Sequence, residues 1–315
     1  MSGAEKKATK AQVLYCGPSN KSVDVVAGYL KRLKGQCPGI VRVYSELIEH
    51  KDFPLPGEPI PPKRRADAYE NSVTKDHRDI ALHFMIRQNN TDSAKEILAH
   101  DKRFRERPTE VTEEEVEKYQ KLVTSCEIEV LKNAAIILCT CTASASNKIK
   151  ATRDIKDGLE PPCNVNQVII DECGMCQEPE SMVPIVAARP TQVVLIGDHK
   201  QLRPIILNDT AKILGLDKSL FERHSEESIM LTVQYRMHTA ISEFPSNHFY
   251  EGKLSPALPF QYEPSKLMHM WPGATGANEP IAFWHIMGPE EVLTVSSAEG
   301  NEQSRKNQAE ADQAV

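Results

Sequence analysis

Short apolar runs that alternate with amphipathic segments dominate the hydrophobic pattern of this chain. Five runs have the length and character of strands: residues 13–16, 40–44, 134–139, 167–170 and 192–196. The last three are uninterrupted, which is the pattern of strands that a parallel sheet buries on both faces. Apolar positions between Val23 and Leu33 recur at helical spacing, and residues 179–188 are short and partly helical. This alternation predicts a doubly wound α/β domain.

A long helical stretch interrupts the strands. Residues 76–133 have helical periodicity, and Thr112 to Glu115 form a capping box that predicts a helix start. The Pro-rich residues 53–62 before them predict a surface excursion. We therefore predict a helical insertion at about residues 51–133.

Composition changes after Leu254, where Pro, Gly, Ser and Ala become frequent. Strands are predicted again at 280–286 and 292–295, and residues 302–315 are polar and compatible with a helix. The pattern predicts four regions: a flexible tail at 1–11, a first domain at 12–254, a linker at 255–279 and the start of a second domain at 280–315.

Composition narrows the class of protein. Hydrophobic residues make up 40% of the 315 residues, yet no apolar run approaches the ~18 residues of a membrane span, so no membrane partner is expected. The net charge of -6 argues against whole-chain attraction to nucleic acid and leaves a local basic groove open. Cys173 and Cys176 have the C-x-x-C spacing of zinc or redox sites, but no second pair accompanies them, and core thiols are the favoured interpretation.

Acidic residues end two of the predicted strands. In a doubly wound sheet, ligands bind beyond the carboxyl ends of the strands, where Asp171, Glu172, Gly197 and Asp198 emerge. Paired carboxylates there suit Mg²⁺-assisted phosphoryl transfer, with Asp171 holding the metal and Glu172 orienting or deprotonating the attacking water. The alternative for an isolated Asp-Glu pair is a solvated strand end.

Two further segments carry candidate chemistry for a phosphorylated ligand. Gln201 follows Asp198 in a turn and can sense a terminal phosphate, although an ordinary strand-exit turn is the alternative. Tyr235 offers a ring that stacks on a base, and Arg236 offers a guanidinium that neutralises charge on a transferred phosphoryl group. A surface ion pair over a packed ring is the simpler reading of such a pair.

Polar residues after two other strands suit a nucleic-acid backbone. Pro18, Ser19 and Asn20 lie between a strand and a helix, so backbone N–H groups and side chains there can bind a phosphate, or form only a helix N-cap. Thr140 and Thr142 can act similarly, or form only a polar strand end.

In their order and in their amino-acid sequences, these segments resemble the motifs of the superfamily 1B helicases of the nonsense-mediated-decay type. The segments correspond to motifs Ia, Ic, II, III and IV of that family, at residues 13–20, 138–142, 169–174, 195–204 and 234–238. The resemblance implies a RecA-like P-loop NTPase fold with the helical insertion, the start of a second RecA-like domain, and ATP and Mg²⁺ as cofactors. It implies RNA as the partner, with DNA as the alternative, transcription partners of the nuclear-receptor type, and a location in the nucleus or cytoplasm.

The resemblance also assigns roles to the candidate residues. It implies that Asp171 holds Mg²⁺ through water beside Glu172, that Gln201 couples ATP to nucleic acid, that Tyr235 packs by adenine, and that Arg236 contacts the γ-phosphate. Gly197 and Asp198 belong to the nucleotide side by the same resemblance. Pro18, Ser19, Asn20, Thr140 and Thr142 belong to the nucleic-acid side.

Three departures from the family pattern limit these expectations. No G-x-x-x-x-G-K-[ST] sequence occurs, the family's motifs V and VI are not found, and Cys173 replaces a small Ala or Ser. We therefore expect a fragment of an ATP-dependent helicase that lacks other parts of the same core and hydrolyses ATP poorly alone. The alternative is a non-catalytic helicase-like module that binds RNA or protein.

Overall fold

A computed structural model describes residues 11–33, 39–56, 73–153, 164–257, 281, 283, 285–297 and 300–314 of the chain. The chain divides into two compact units, Met1–Glu227 and Ser228–Val315. Within the described residues, no helix has the length and apolar character to cross a membrane. The predicted tail falls outside the described residues except for Ala11, as does the predicted linker beyond residue 257. The predicted domain boundaries stay a prediction.

A five-stranded parallel sheet forms the centre of the first unit. Its strands are β1 (Ala11–Gly17), β2 (Ile40–Arg42), β3 (Ile136–Thr140), β4 (Asn164–Ile170) and β5 (Gln192–Leu195), in the order β2-β3-β1-β4-β5. All five lie within the apolar runs that predicted them or extend those runs by a few residues. The predicted α/β fold with a parallel sheet is confirmed.

Helices follow or connect these strands. Their bounds are α1 Asn20–Arg32, α2 Glu46–Asp52, α3 Leu82–Gln88, α4 Asp92–Glu106, α5 Glu113–Asn133, α6 Asn147–Arg153, α7 Glu178–Ala188, α8 Asp209–Ile213 and α9 Leu220–Arg223. Helices α3, α4 and α5 occupy the stretch predicted as a helical insertion, and Thr112 begins α5 with the predicted capping box. Short 3-10 turns stand at Lys75–His77, Pro108–Glu110, Thr142–Ala145 and Ser225–Glu227.

The core lies on both sides of the three inner strands. Leu14, Cys16, Ile137, Cys139 and Ile170 belong to one buried cluster that extends to the insertion helices. Tyr15, Leu138 and Ile169 point to the opposite face, where Val23 and Ala27 of α1 cover them. The alternation of neighbours between two clusters follows from the period of two along a strand.

The prediction that β5 is buried on both faces was wrong. Val193 is 41% exposed and Val194 is 37% exposed. Both β2 and β5 end the sheet, but the insertion helices cover only β2, whose Val41 is 2% exposed and packs in one cluster with Leu82 and Ile86 of α3. Among the described residues, Val193 and Val194 of β5 belong to no hydrophobic cluster of that kind. An apolar run indicates a buried strand, but it does not say whether the strand is central or at an edge.

The second unit contains smaller elements. Strands β6 (Val233–Gln234) and β7 (Ser255–Pro256) pair in parallel around α10 (Thr239–Phe249), and β8 (Glu291–Ser297) pairs with β9 (Gly300–Lys306) in a hairpin before α11 (Gln308–Ala314). The strand predicted at 292–295 is confirmed by β8. The helix predicted from residue 302 begins six residues later, and the described residues of 280–286 lie outside regular structure.

Candidate nucleotide and nucleic-acid site

The carboxyl ends of β3, β1, β4 and β5 lie side by side at one edge of the sheet. Gly17 is level with Thr140, and the Cys141 N–H donates to the Gly17 carbonyl at 3.0 Å. The Asp171 N–H donates to the Cys16 carbonyl at 2.9 Å. Because β1 pairs with β4, the candidate nucleic-acid residues after β3 and β1 lie next to the candidate catalytic carboxylates after β4.

Asp171 and Glu172 begin the tight turn after β4. The Asp171 carboxylate accepts two hydrogen bonds, one on Oδ1 from the Glu172 N–H at 2.9 Å and one on Oδ2 from the Tyr15 hydroxyl. Burial and this carboxylate raise the pKa of Tyr15, so the phenol keeps its proton and donates. Glu172 has φ of 52°, a left-handed conformation, and its side chain is exposed. The turn therefore holds one carboxylate in place and presents the other to solvent.

Two glycines let the loops after β4 and β5 touch. A Cβ on Gly174 would lie 2.7 Å from the Asp198 carbonyl oxygen, and a Cβ on Gly197 would lie 2.7 Å from the Gly174 nitrogen. The Cys173 N–H also donates to the Ile196 carbonyl at 2.8 Å. Backbone approaches this close admit only glycine. They fix the Asp171 turn against the Asp198 turn.

The Asp198 carboxylate organises the turn after β5. Its Oδ1 accepts from the Lys200 N–H at 2.9 Å, and its Oδ2 accepts from the Gln201 side-chain amide at 2.7 Å. The Gln201 side chain is exposed, and Asp198 holds its Nε2. The structure thus joins Asp198 and Gln201, which the sequence singled out separately, into one hydrogen-bonded pair.

Ser19 and Asn20 begin α1 immediately after β1. The Ser19 hydroxyl accepts from the Ser22 N–H at 3.2 Å in a capping box, so the N-cap role weighed from the sequence is present. The Asn20 Oδ1 accepts from the Arg42 guanidinium at 2.8 Å. Because Arg donates only, the carbonyl oxygen of Asn20 is the atom that it engages, and the Asn20 NH₂ group is left to donate elsewhere.

Arg42 is a fully buried charged residue, with 0% exposure. Its guanidinium also donates to the Asp24 carboxylate at 2.8 Å and to the Val43 carbonyl at 2.7 Å, and it lies 4.0 Å from the Tyr44 ring centroid. A buried charge is stable only when paired and hydrogen-bonded in this way. Sequence reasoning missed its role, although a charged residue inside the apolar run 40–44 was the available signal.

Thr140 and Thr142 follow β3 beside Gly17. The Thr140 hydroxyl accepts from the Ala143 N–H at 3.2 Å, which begins the 3-10 turn that contains Thr142. Thr140 is half-buried and Thr142 is exposed. The polar strand-end role is therefore present for Thr140, while Thr142 presents its side chain to solvent at the same edge.

Tyr235 and Arg236 belong to the second unit, directly after β6. Their conformation is set by Gln234, whose Oε1 accepts from the Arg236 N–H at 3.0 Å and from the Met237 N–H at 2.7 Å. Tyr235 is 80% exposed and Arg236 is exposed. The turn presents both side chains outward, and the packed-ring alternative for Tyr235 is wrong.

Cys173 and Cys176 are both fully buried beneath the Asp171 turn. The Cys173 sulfur lies 3.5 Å from the Ser181 hydroxyl, and the Cys176 thiol donates to the Glu172 carbonyl at 3.8 Å. Burial raises the pKa of Cys173, which disfavours the thiolate that a metal requires. Among the described residues, no group of three or more Cys, His, Asp or Glu side chains is arranged to hold a metal ion.

The donors at Asp171 fit a water-mediated magnesium site. An ionised carboxylate has about four acceptor positions, and the two hydrogen bonds described above use one on each oxygen. Mg²⁺ usually keeps several waters and takes one or two carboxylates together with substrate phosphates, so it needs no cage of three protein ligands. Asp171, with Glu172 beside it, would hold the ion.

Comparisons with known proteins agree with this architecture. A family model described as an AAA domain matches residues 1–209, and a second model with the same description matches residues 216–315. The 3'-5' exoribonuclease HELZ2 of Mus musculus is 40% identical over 306 residues, which cover 96% of this chain and 10% of that protein. The regulator of nonsense transcripts 1 homolog of Neurospora crassa is 33% identical over 290 residues, or 91% of this chain and 23% of that protein.

A third relative is the ATP-dependent helicase NAM7 of Saccharomyces cerevisiae, which is 32% identical over 290 residues, or 91% of this chain and 25% of that protein. The chain thus spans between a tenth and a quarter of the length of these three relatives. The two family models match residues of both units, and the first of them includes the strand ends at the candidate site. The chain belongs to the Upf1-like superfamily 1B helicases.

Proposed function

We propose that this chain is the ATP-hydrolysing and RNA-binding segment of an ATP-dependent RNA helicase. One observation carries the proposal: the end of β4, before Asp171 and Glu172, lies beside the end of β1, before Asn20, and β1 in turn lies beside β3, before Thr142. A motor that couples nucleotide hydrolysis to movement on RNA needs these two kinds of group on one rigid frame.

Each side chain has a distinct task on the nucleotide side of the edge. When bound, Mg²⁺ neutralises charge on the phosphates of ATP. Asp171 accepts hydrogen bonds from the water shell of the ion, Glu172 orients and deprotonates the attacking water, and Gln201 senses the terminal phosphate from its place on Asp198. Gly197 lets the loops approach closely enough for these carboxylates to act together.

We also propose nucleotide-binding roles for Tyr235 and Arg236, which belong to the second unit. The exposed Tyr235 ring offers an apolar face for adenine, and the Arg236 guanidinium offers two N–H donors to a γ-phosphate. Their support is their outward presentation by the Gln234 turn together with the family to which the chain belongs.

Donors arranged along the strand ends support the RNA side. The N-terminus of α1, behind Pro18 and Ser19, directs backbone N–H groups outward, and such a terminus favours a phosphate. Arg42 turns the Asn20 amide so that its NH₂ group donates. Thr140 builds the turn that exposes the Thr142 hydroxyl. These groups would contact the sugar-phosphate backbone of the RNA, so the proposed binding depends little on the RNA sequence.

Removing the exposed hydroxyl tests the RNA side. We expect Thr142→Ala to weaken binding of a single-stranded RNA about tenfold, since a hydrogen bond to a charged group contributes about 1.5 kcal/mol. Fluorescence anisotropy measures the affinity. Thr124→Ala removes an exposed hydroxyl from α5 and serves as the matched control.

Equal loss in the two variants, or no loss in Thr142→Ala, contradicts the proposed RNA side. A DNA oligonucleotide of the same sequence forms the second arm, because the 2'-hydroxyl distinguishes the two polymers. Tighter binding of DNA makes the substrate DNA. Retained RNA binding together with no ATP hydrolysis favours the non-catalytic module instead.

We also propose that the isolated chain hydrolyses ATP slowly, since its sequence has no G-x-x-x-x-G-K-[ST] loop to hold the β- and γ-phosphates.

A role with nuclear-receptor transcription partners remains a prediction from the resemblance. Co-precipitation of the chain with a purified receptor ligand-binding domain tests that role.

A further inference from the structure

A buried tyrosine beneath the proposed catalytic edge carries a polar contact that packing does not require. Tyr15 is 8% exposed, and its ring packs in a cluster with Val23, Ala27 and Leu138. Phenylalanine would fill the same space. The hydroxyl of Tyr15 donates to Asp171 Oδ2 across the β1–β4 pair.

The sheet geometry explains how the two residues meet. Tyr15 on β1 is level with Ile169 on β4, and Asp171 lies two residues beyond Ile169. Residues two apart along a strand direction point to the same face, so Tyr15 and Asp171 are diagonal neighbours. The ring of Tyr15 spans this diagonal, and its hydroxyl approaches Asp171 from the core side.

The contact fixes the plane of the Asp171 carboxylate. The torsion that rotates an aspartate carboxylate is broad and roughly two-fold, so a single anchor leaves it free to turn. Here the Glu172 N–H holds Oδ1 and the Tyr15 hydroxyl holds Oδ2. With both oxygens held, the remaining acceptor positions keep one direction at the strand end.

We propose that Tyr15 is a positioning residue for the divalent cation at Asp171. This inference rests on the proposed function, in which Asp171 handles Mg²⁺. Tyr15 donates a hydrogen bond to the carboxylate that faces the ion's water shell, and it does not touch the ion, ATP or RNA. Partners of this kind set the affinity of a metal site through the orientation of its carboxylate.

Mn²⁺ alone, as a paramagnetic substitute for Mg²⁺, tests the inference on the whole chain. Electron paramagnetic resonance measures free Mn²⁺ during a titration of wild type, Tyr15→Phe and Asp171→Asn. We expect Asp171→Asn to remove the site and Tyr15→Phe to weaken Mn²⁺ binding about tenfold, which is the smaller end of the range for lost partners of metal-bound groups.

Tyr119→Phe is the matched control. Tyr119 is also buried, and its hydroxyl also donates to a carboxylate, that of Asp101, at 2.6 Å within the helical insertion. The Tyr119 hydroxyl also accepts from the Arg87 guanidinium at 2.7 Å, so this variant loses one more buried hydrogen bond than Tyr15→Phe and shows the effect of at least as large a loss of stability. Thermal unfolding without metal measures that loss. We expect Tyr119→Phe to bind Mn²⁺ as wild type does.

The outcomes separate the inference from the function on which it rests. If Asp171→Asn loses the site and Tyr15→Phe binds Mn²⁺ as wild type does, the role of Tyr15 is wrong and the metal role of Asp171 stands. If Asp171→Asn binds Mn²⁺ as wild type does, or wild type binds none, the metal role fails and the inference fails with it. Equal weakening in Tyr15→Phe and Tyr119→Phe also overturns the role of Tyr15.

Discussion

Individual residues at this edge are placed by short-range contacts that give each side chain one orientation. Asp171 is held by Glu172 and Tyr15, Gln201 is held by Asp198, and Asn20 is held by Arg42. These contacts use both Asp171 oxygens once each, and they leave the Gln201 Oε1 and the Asn20 NH₂ group unused. Preorganisation of this kind is where much of the electrostatic contribution to catalysis originates.

Glu172 combines a strained backbone with an exposed carboxylate. Its φ of 52° costs a residue with a Cβ about 1 kcal/mol, whereas glycine adopts that conformation freely. We expect Glu172→Gly to be as stable as wild type or up to about 1 kcal/mol more stable, partly offset by the freedom of glycine in the unfolded chain. Urea unfolding measures the change. Loss of hydrolysis with no loss of stability would mark strain retained for function.

The control for this prediction is Arg189→Gly. Arg189 has φ of 49° at the end of α7, outside the site. We expect a similar change in stability and no change in hydrolysis. If Glu172→Gly destabilises the protein by several kcal/mol and Arg189→Gly does not, contacts other than the left-handed backbone determine how Glu172 affects stability.

Among the elements, a buried charge cluster joins the insertion helices to the helix after β3. Lys148 on α6 donates to Glu49 on α2 and to Glu127 on α5, the latter at 2.6 Å. One ammonium therefore faces two carboxylates. Because burial disfavours the second negative charge, the pKa of Glu49 is raised to about 7, that of Glu127 is raised, and that of Lys148 is raised by the two carboxylates.

His83 on α3 adds a hydrogen-bond acceptor to this cluster. Burial lowers the pKa of His83, and its Nε2 lies 3.1 Å from Asp52. A neutral imidazole that donates from Nε2 accepts at Nδ1, and Nδ1 lies 3.7 Å from Glu49 Oε1. Both atoms are buried and lack a hydrogen bond in the described structure. A proton on Glu49 would supply one.

Replacing Glu49 tests this charge balance. A carboxyl whose pKa is raised on folding, here from 4.5 to about 7, binds its proton more tightly in the folded state, so stability falls as pH rises through that window. We expect wild type to lose about 1 to 3 kcal/mol relative to Glu49→Gln between pH 4.5 and pH 8. Urea unfolding at each pH measures the difference.

The comparison with Glu49→Gln isolates Glu49 from His83, whose lowered pKa acts in the opposite direction as pH falls. Glu129→Gln changes an exposed carboxylate on α5 and should show no such dependence on pH. A wild type that gains stability relative to Glu49→Gln as pH rises contradicts the proposed charge balance.

The elements also show which features of the fold a sequence encodes. Apolar runs predicted β1 to β5 because a parallel sheet imposes long buried strands. The polar run from Gly300 to Lys306 predicted no strand, since it becomes one only by pairing with β8 in a hairpin. The helices that cover an end strand are equally invisible in its own sequence: β2 and β5 both end the sheet, yet Val41 is buried while Val193 and Val194 are exposed.

On the scale of the whole molecule, the sequence predicted the location of the candidate residues at strand ends better than it predicted their contacts. Strand ends identified Asp171, Glu172, Asp198 and Thr140, because residues after buried strands must emerge at the sheet edge. The order β2-β3-β1-β4-β5, which makes these ends neighbours, does not follow from the pattern. Contacts such as Tyr15 with Asp171 depend on that order, so no local pattern predicts them.

The architecture of the first unit supports the proposal that one sheet serves two ligands. Residues from β3 and β1 form the proposed RNA side, and residues from β4 and β5 form the proposed nucleotide side. Because β1 and β4 are paired neighbours, we propose that a ligand at the end of one strand alters the groups at the end of the other. The central claim is therefore that ATP hydrolysis, which requires Glu172, depends on bound RNA.

ATP hydrolysis by the chain, with and without single-stranded RNA, in wild type and in Glu172→Gln, tests that claim most directly. We predict slow turnover, well below about 1 s⁻¹, that single-stranded RNA stimulates and that Glu172→Gln reduces about a hundredfold or more while RNA affinity stays unchanged. Turnover that RNA does not alter, turnover that survives in Glu172→Gln, or no turnover above buffer would contradict it.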